Sequence, residues 1–537
     1  MSFRVLVTDE IDAEGVALLA AEPSLTVDEV PTLPVDELLE RIPDYDAIVG
    51  RSATRISTEL LRRATKLKVV GRAGVGVDNV DLDTATELGV AVINAPAGNT
   101  IAVAELFFGV VLGMLRHLPK ADSSMREGKW DRSQLMGSEL NCRTLGIVGL
   151  GRIGGEVAKR AAAFGMDVIA YDPYIPESRF QSLRTRRAES LEQLLDDADI
   201  VTVHTPLTDE TKGMIGKREL ARLSSRAIVV NMARGGIIDE DALAYSLSNG
   251  LLMGAALDAF QKEPLAADNA LRRIPNLFLT PHLGASTAEA QKNVAVDVCI
   301  AVRDALVSGE LSRSINVATI DGGEWKAIQP AILLAQRAAA VGQAILASQG
   351  TKALQRVDVR CGSAFTGAGA AILSAAAMGV LGAVVERERL NLINARSLAA
   401  ARGIDLSLVE STNLDNPHAL EVRLSGGMSE IAVAGVAPAN SAPRLTRIGA
   451  FHVDIQPRGT LLILTNHDVP GVIGRVGTLL GDAGVNIAEY HQARLAQGGQ
   501  ALAAVSVDGQ VGEPVRQSLL SLPDVMSAAI VSFDSNG

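Results

Sequence analysis

Three ionisable residues sit in short turns that follow apolar runs. Arg234 lies in Asn231-Met232-Ala233-Arg234-Gly235-Gly236, Glu263 in Asp258-Ala259-Phe260-Gln261-Lys262-Glu263-Pro264, and His282 in Thr280-Pro281-His282-Leu283-Gly284-Ala285. An α/β sheet places its chemistry in such turns, just past the carboxyl ends of its strands. Oxidising a 2-hydroxy acid requires a base for the hydroxyl proton, a cation for the carboxylate and the developing oxyanion, and a hydride acceptor. Histidine is the natural base, with an ordinary pKa of about 6.5. A carboxylate beside it fixes the ring and stabilises its charged form. Arginine presents the two-pronged fork that a carboxylate prefers. Taken singly, each residue also has an ordinary reading: a surface charge, a cap before Pro264, a satisfied loop histidine.

The hydride acceptor is prefigured by Leu145 to Asp172. An apolar run, Leu145 to Val148, precedes Gly149, Gly151 and Gly154 in G-x-G-x-x-G spacing. A helical stretch from Glu156 to Phe164 follows, then an apolar run from Val168 to Tyr171 that ends on Asp172, 18 positions beyond Gly154. The glycines permit a tight strand-to-helix turn on whose amides a pyrophosphate can rest. Asp172 at the second strand's tip accepts the ribose hydroxyls and repels a 2′-phosphate, which favours NAD over NADP. The glycines alone are a weak signal; strand, turn, helix, strand and acid in register are a strong one.

The chain that must position these turns has 537 residues, enough for three or four domains. Hydrophobic residues make up 47% and aromatics only 3%, so the cores must be built from Ala, Val, Leu and Ile. A net charge of −12 argues against nucleic acid or an anionic membrane as partner. Cys142, Cys299 and Cys361 have neither metal nor disulfide spacing. No secretory signal is evident, so the cytoplasm is expected. The 25 uncharged residues from Cys361 to Val385 have spanning length, but they are mostly Ala, Gly and Ser and suit tight helix packing instead.

Strands alternate with helices over residues 1–98, which predicts a parallel doubly wound sheet. A long helix is expected from Ile101 to about Leu118, leading into a second such domain over 99–285. The helix from Ser286 through Val302 is expected to recross to the first unit, completing it with 286–316. Residues 317–455 are Ala/Gly-rich with antiparallel patterns at Ala419 to Leu424 and Glu430 to Val436, an α+β intervening domain. From 456 the order β-α-β-β-α-β predicts a separate ferredoxin-like domain.

These motifs resemble the D-2-hydroxyacid dehydrogenase family, and over essentially the whole chain its long members with intervening and C-terminal ACT domains. The resemblance implies catalytic roles for Arg234, Glu263 and His282. It implies NAD contacts at Gly149, Gly151, Arg152, Ile153, Gly154, Asp172, Thr205, Met232 to Arg234, Asp258 and the turn His282, Leu283, Gly284 and Ala285. Val75 and Met232 stand where relatives can carry Thr and Cys, and neither change removes a required group. In the first domain Arg51, Ser52 and Thr54 give a cation and two hydroxyls for a phosphate, with Arg72 as a second cation. The amides of Gly74, Val75 and Gly76 suit a carboxylate, and Asn99 matches a substrate contact of the family. The expected substrate is 3-phospho-D-glycerate, with an unphosphorylated hydroxy acid or an NADH-sensing role as alternatives. In the tail, Asn466, Asp468, Asn486 and Ile487 resemble ACT ligand loops. They imply L-serine as effector and, because such ligands lie between subunits, a homotetramer, unless the domain serves assembly alone. Arg444, Arg447, His452 and Arg458 form a basic cluster, open to an anionic effector or to solvent alone.

Overall fold

In the computed structural model the described residues are 2–311, 313–317, 325–351, 353–382, 384–385, 390–410, 414, 416–439 and 441–533. The first sheet is parallel, in the order Leu25–Glu29, Phe3–Val7, Ala47–Gly50, Val69–Arg72, Ala91–Asn94. The strand order reverses between Phe3–Val7 and Ala47–Gly50, so a crevice opens beyond their carboxyl ends. That is where Asp9 and the turn carrying Arg51 lie. Helix Ala288–Ser308 packs on this sheet, with Val294, Val298 and Val302 in the same core as Val5 and Val49. The approach is close: a Cβ added to Gly15 would meet the Ala295 carbonyl carbon at 2.7 Å.

The second sheet has seven parallel strands, in the order Leu277–Leu279, Gly254–Leu257, Ile228–Asn231, Ile200–Val203, Thr144–Val148, Asp167–Tyr171, Arg186–Arg187. Its central strands are buried on both faces, as helices on either side require. The order reverses between Thr144–Val148 and Ile200–Val203, directly beneath the glycine turn. The single helix expected from Ile101 to Leu118 is in fact two, Thr100–Leu115 and Leu118–Arg126, bent by 61°. His117 adopts the left-handed conformation (φ 52°), and Pro119, which has no N–H to continue a helix, opens the second one. The glycine-turn helix begins at Arg152 rather than Glu156, because the turn glycines themselves form its start.

A six-stranded sheet follows, in the order Asp405–Glu410, Arg356–Cys361, Ala419–Gly426, Ser429–Val436, Arg444–Ile448, Phe451–Ile455, antiparallel apart from the first pair. The uncharged stretch from Cys361 contains the helix Gly369–Leu381, nearly every residue of which is buried. Helix Trp325–Ser348 is long and apolar enough to cross a membrane by length and composition, yet Ala331, Leu334, Ala335 and Ala338 are buried in this core. The last sheet runs Ile487–Arg494, Gln500–Val507, Thr460–His467, Val525–Ser532, all antiparallel. Helices Val472–Asp482 and Glu513–Leu520 supply the core of one face, with Val476 and Leu480 against Leu462 and Leu464. The other face does not stand alone. Leu461, Ile463, Leu502, Ala504 and Val531 share one core with Trp325–Ser348 and the six-stranded sheet, so this face of the tail sheet is packed on the preceding unit.

Candidate functional site

His282 and Glu263 come together from different turns of the second sheet. The Nδ1 of His282 lies 2.8 Å from Oε2 of Glu263 and 3.0 Å from Oε1. Glu263 is itself held, because its Oε1 accepts a hydrogen bond from the Phe260 amide at 3.0 Å. His282 has a positive φ of 57°, a conformation that L-residues adopt only where their surroundings impose it. Asp258 does the imposing. Its buried carboxylate accepts from the Thr280 hydroxyl at 2.6 Å, the Leu283 amide at 2.7 Å and the Gly284 amide at 2.9 Å. With Nδ1 committed to the carboxylate, the free nitrogen of the half-exposed ring is Nε2.

Arg234 projects from a turn that Asn231 closes by accepting from the Ala233 amide and donating to the Arg234 carbonyl. The Glu263 loop crosses this turn so tightly that a Cβ on Gly235 would meet the Phe260 carbonyl carbon at 1.9 Å. The guanidinium reaches the first sheet. Its Nε donates to Asp78 at 3.0 Å, its Nη1 to the Ala233 carbonyl at 2.8 Å, and its Nη2 lies where a Gly76 Cβ would be, 1.9 Å from that position. Arg72 occupies the same kind of space over Gly74, 1.4 Å from the ideal Cβ. Burial, followed by the positive charges of Arg234 and Arg51, brings Arg72 down to about 10, and its Nε is buried without a hydrogen-bond partner among the described residues. Three cations therefore bear on one crevice, opposed by Asp78 and Asp9, an excess that suits a small multiply charged anion.

The remaining expected substrate residues divide. Arg51 is part-buried, and Ser52 is exposed at the tip of its turn. Thr54 is turned inward: it is 4% exposed and its hydroxyl donates to Asp9 at 2.7 Å, so it shapes the turn instead of offering a hydroxyl to a ligand. The Val75 carbonyl accepts from the Asn94 side chain, which fixes the Gly74–Gly76 strip. Asn99 precedes the helix Thr100–Leu115 without capping it, and its buried Oδ1 has no partner among the described residues. Asp9, Asp78 and Asn79 carry much of this geometry and were not singled out in the sequence. The signal for Asp9 was its place after the first strand of a doubly wound sheet, and for the other two their position directly after the glycine strip.

The glycine turn fits a dinucleotide. Gly149 has φ 91°, and a Cβ there would meet the His204 carbonyl oxygen at 2.8 Å, while one on Gly154 would meet the Gly149 oxygen at 2.2 Å. A Cβ on Gly151 would meet nothing within 4 Å, so the backbone face over the helix start is open. Arg152 and Ile153 form the first turn of that helix, whose N-terminus has no side-chain cap, which leaves its amides and positive dipole end for an anion. Asp172 accepts from the amides of Leu150 and Tyr174 at 2.9 and 3.0 Å and retains acceptor positions. The Thr205 hydroxyl oxygen is buried without a partner among the described residues, at the same end of the sheet. Met232 differs from its neighbours: its side chain is buried in the domain core, leaving only its backbone to a ligand. Ala285 closes the His282 turn, its carbonyl taking the Gln291 side chain.

In the tail the four expected effector residues are not brought together. Asn466 is level with Ala501, and Ala501 with Arg494, whereas Ile487 is level with Val507, and Val507 with Thr460. Asn466 and Asp468 thus lie at one end of the sheet and Asn486 and Ile487 at the other, six residues or about 20 Å apart along the Gln500–Val507 strand. Asn466 is buried and donates to the His467 carbonyl; Asp468 accepts from Arg494 and the Gly498 amide at 3.3 Å each. Asn486 donates to Asp508 at 2.7 Å. In the basic cluster Arg447 is level with His452, and two of its four members are paired: Arg444 meets Asp454 and Glu489, and Arg447 meets Glu421.

Residues 108–284 match the family described as D-isomer specific 2-hydroxyacid dehydrogenase, NAD binding domain, and residues 460–524 match the ACT domain. The chain is 38% identical over 534 residues to the D-3-phosphoglycerate dehydrogenase of Bacillus subtilis, covering 99% of this chain and 100% of that protein. It is 36% identical over 533 residues to the enzyme of the same name from Methanocaldococcus jannaschii, again covering 99% and 100%. Among solved structures, the TT0316 protein of Thermus thermophilus superposes with a TM-score of 0.54 at 36% identity, covering 58% of this chain and 99% of that one.

Proposed function

The chain belongs to the D-3-phosphoglycerate dehydrogenase family, and from that premise we propose that it oxidises 3-phospho-D-glycerate to 3-phosphooxypyruvate, the step that opens L-serine synthesis. The observation that carries the reading is the His282–Glu263 pair at 2.8 Å, beside a crevice on which Arg51, Arg72 and Arg234 converge. His282 takes the C2 hydroxyl proton on Nε2, and Glu263 at Nδ1 stabilises the imidazolium that results. Arg234, held by Asp78 through Nε, offers Nη2 to the substrate carboxylate and the C2 oxygen. Arg51 and Arg72 meet the phosphate, and the Gly74–Gly76 strip meets the carboxylate. The bound NAD supplies the hydride-accepting nicotinamide. Gly149, Gly151, Arg152 and Gly154 would hold its pyrophosphate, Asp172 its ribose, and the Thr205, Met232–Ala233 and His282–Ala285 turns its remaining length.

Regulation follows the geometry of the tail. Asn466 and Asp468 at one sheet end, and Asn486 and Ile487 at the other, form one site when two copies pair antiparallel, so that opposite ends meet. L-serine as the zwitterion bound there, and a homotetramer as the cytoplasmic assembly, complete the reading. The test is NADH consumption with 3-phosphooxypyruvate, with and without L-serine, beside hydroxypyruvate. Turnover of the phosphorylated acid suppressed by serine supports both parts. Turnover unaffected by serine retains the enzyme and removes the effector. Turnover with hydroxypyruvate alone overturns the substrate.

A further inference from the structure

The turn that carries Arg51 is gripped from both sides. Inside the crevice, Asp9 accepts from the Arg51 amide at 2.8 Å and the Thr54 amide at 2.9 Å through Oδ2, and from the Thr54 and Thr32 hydroxyls at 2.7 and 2.8 Å through Oδ1. Each oxygen takes two donors, which saturates the carboxylate. Asn79 answers with the other polarity. Its Nδ2 donates to the Arg51 carbonyl at 2.9 Å and the Thr54 carbonyl at 2.7 Å. Residues 51 and 54 are thus fixed at both amide and carbonyl, while Ser52 and Ala53 between them are exposed and their amides make no hydrogen bond among the described residues.

The cost of this arrangement is visible in the backbone. Asp9 and Glu10 both have positive φ, 64° and 52°, two consecutive non-glycine residues in a region that ordinary loops avoid. Asp9 is 6% exposed, so its charge is tolerable only because four donors surround it. Its place is the point where the first sheet's strand order reverses, the position at which open α/β sheets hold ligands. A carboxylate facing inward at that point cannot itself receive an anion. It binds the inner face of the turn and leaves the outer face, two amides, the Ser52 hydroxyl and the Arg51 side chain, for one.

We propose that Asp9 and Asn79 are the positioning residues that confer phosphate selectivity, by clamping the Arg51–Thr54 turn with its Ser52–Ala53 amides outward. The inference rests on the reading of Arg51 as the phosphate cation. Adjacent residues then serve the two anionic ends of the substrate: Asp78 steadies Arg234, and Asn79 steadies the Arg51 turn.

The experiment compares kcat/KM for 3-phosphooxypyruvate with that for hydroxypyruvate in wild type, Arg51→Ala, Asp9→Asn, Thr54→Val and Asn79→Ala. Asp9→Asn keeps the shape but removes the charge and replaces the acceptor shared by the Thr32 and Thr54 hydroxyls, or the one shared by the two amides, with an NH2 group, and Thr54→Val removes one donor without changing the side-chain outline. The expected result is a selectivity ratio that falls roughly tenfold or more in Asp9→Asn and Asn79→Ala, through KM for the phosphorylated acid, and less in Thr54→Val. NADH affinity, read by fluorescence, reports that each variant is folded. If Asp9→Asn does not fold, Thr54→Val and Asn79→Ala decide. Equal losses on both substrates overturn the proposal, as does an unchanged ratio while Arg51→Ala lowers it. An unchanged ratio in Arg51→Ala itself overturns the phosphate reading on which the proposal stands.

Discussion

At the scale of single residues, the arrangement separates the side chains that face the crevice from the groups that hold them. His282 and Glu263 meet at 2.8 Å where Asp258 pins the histidine turn in a left-handed conformation. Replacing His282 by Ala is expected to lower kcat by about 10²–10⁴-fold, the usual worth of a positioned base, while NADH binding measured by fluorescence is retained. Replacing Asp258 by Asn is expected to lower kcat as well, but by releasing the turn: the amide group cannot accept from all of Thr280, Leu283 and Gly284. A loss of NADH affinity without loss of kcat in that variant would count against this role. The types and spacings of Arg234, Glu263 and His282 made them legible in the sequence. Asp258 was legible only as a cofactor contact, because hydrogen bonds to backbone amides far along the chain leave no spacing to read.

At the scale of elements, the glycine turn packs on the backbone of His204, the residue after strand Ile200–Val203. Gly154 lies so close to Gly149 that even a methyl group must displace the helix, so Gly154→Ala is expected to weaken NADH binding at least tenfold in a fluorescence titration. The His204 ring sits against Phe107, with Nε2 3.1 Å from the Thr202 hydroxyl, and burial pushes its pKa down to about 4. The sign follows from proton counting. The unfolded chain binds a proton on this histidine below about 6.5, and the folded chain does so only near 4, so folding is opposed progressively as pH falls between those values. The slope from this group is about 1.4 kcal/mol per pH unit at most. Thermal unfolding of His204→Gln is expected to depend less steeply on pH than wild type between 6.5 and 4, and equal slopes would contradict a neutral buried ring. The break at His117 is likewise an element-scale fact. Apolar periodicity runs straight through Ile101 to Leu118, and only the left-handed turn before Pro119 interrupts it.

At the scale of the whole molecule, two joints matter. The tail sheet buries one face on the core of helix Trp325–Ser348, so movement of the tail must be felt by the intervening unit. That unit touches the first sheet through Asn391, which donates to the Gly89 carbonyl at 2.7 Å where a Cβ on Gly89 would meet its amide nitrogen at 2.5 Å. The second joint, between copies, belongs to the proposed assembly. Because about 20 Å separates Asn466 from Ile487 within one chain, two chains that each lack half of the effector site should complement one another. Asn466→Ala and Asn486→Ala are each expected to abolish serine inhibition alone. Co-refolded mixtures are expected to recover part of it, since some interfaces then carry one intact site. No recovery in the mixture would place the effector site within a single chain.

What the sequence determined by itself is what local chemistry decides. Glycine spacing after an apolar run dictates a tight turn, alternation of strands and helices dictates parallel sheets, and strand ends place a histidine, a glutamate and an arginine in turns at one edge of the second sheet. What only the tertiary structure decided depends on groups far apart in the chain. Asp9 binding residues 51 and 54, Asn79 binding their carbonyls, and the inward turn of Thr54 rest on hydrogen bonds across 25 to 45 positions. The separation of Asn466 from Asn486 follows from strand register, which is set when one face of a sheet is buried against a partner. The packing of the tail sheet on the intervening core has the same origin, since both faces of that sheet are apolar and the sequence does not state which neighbour covers them.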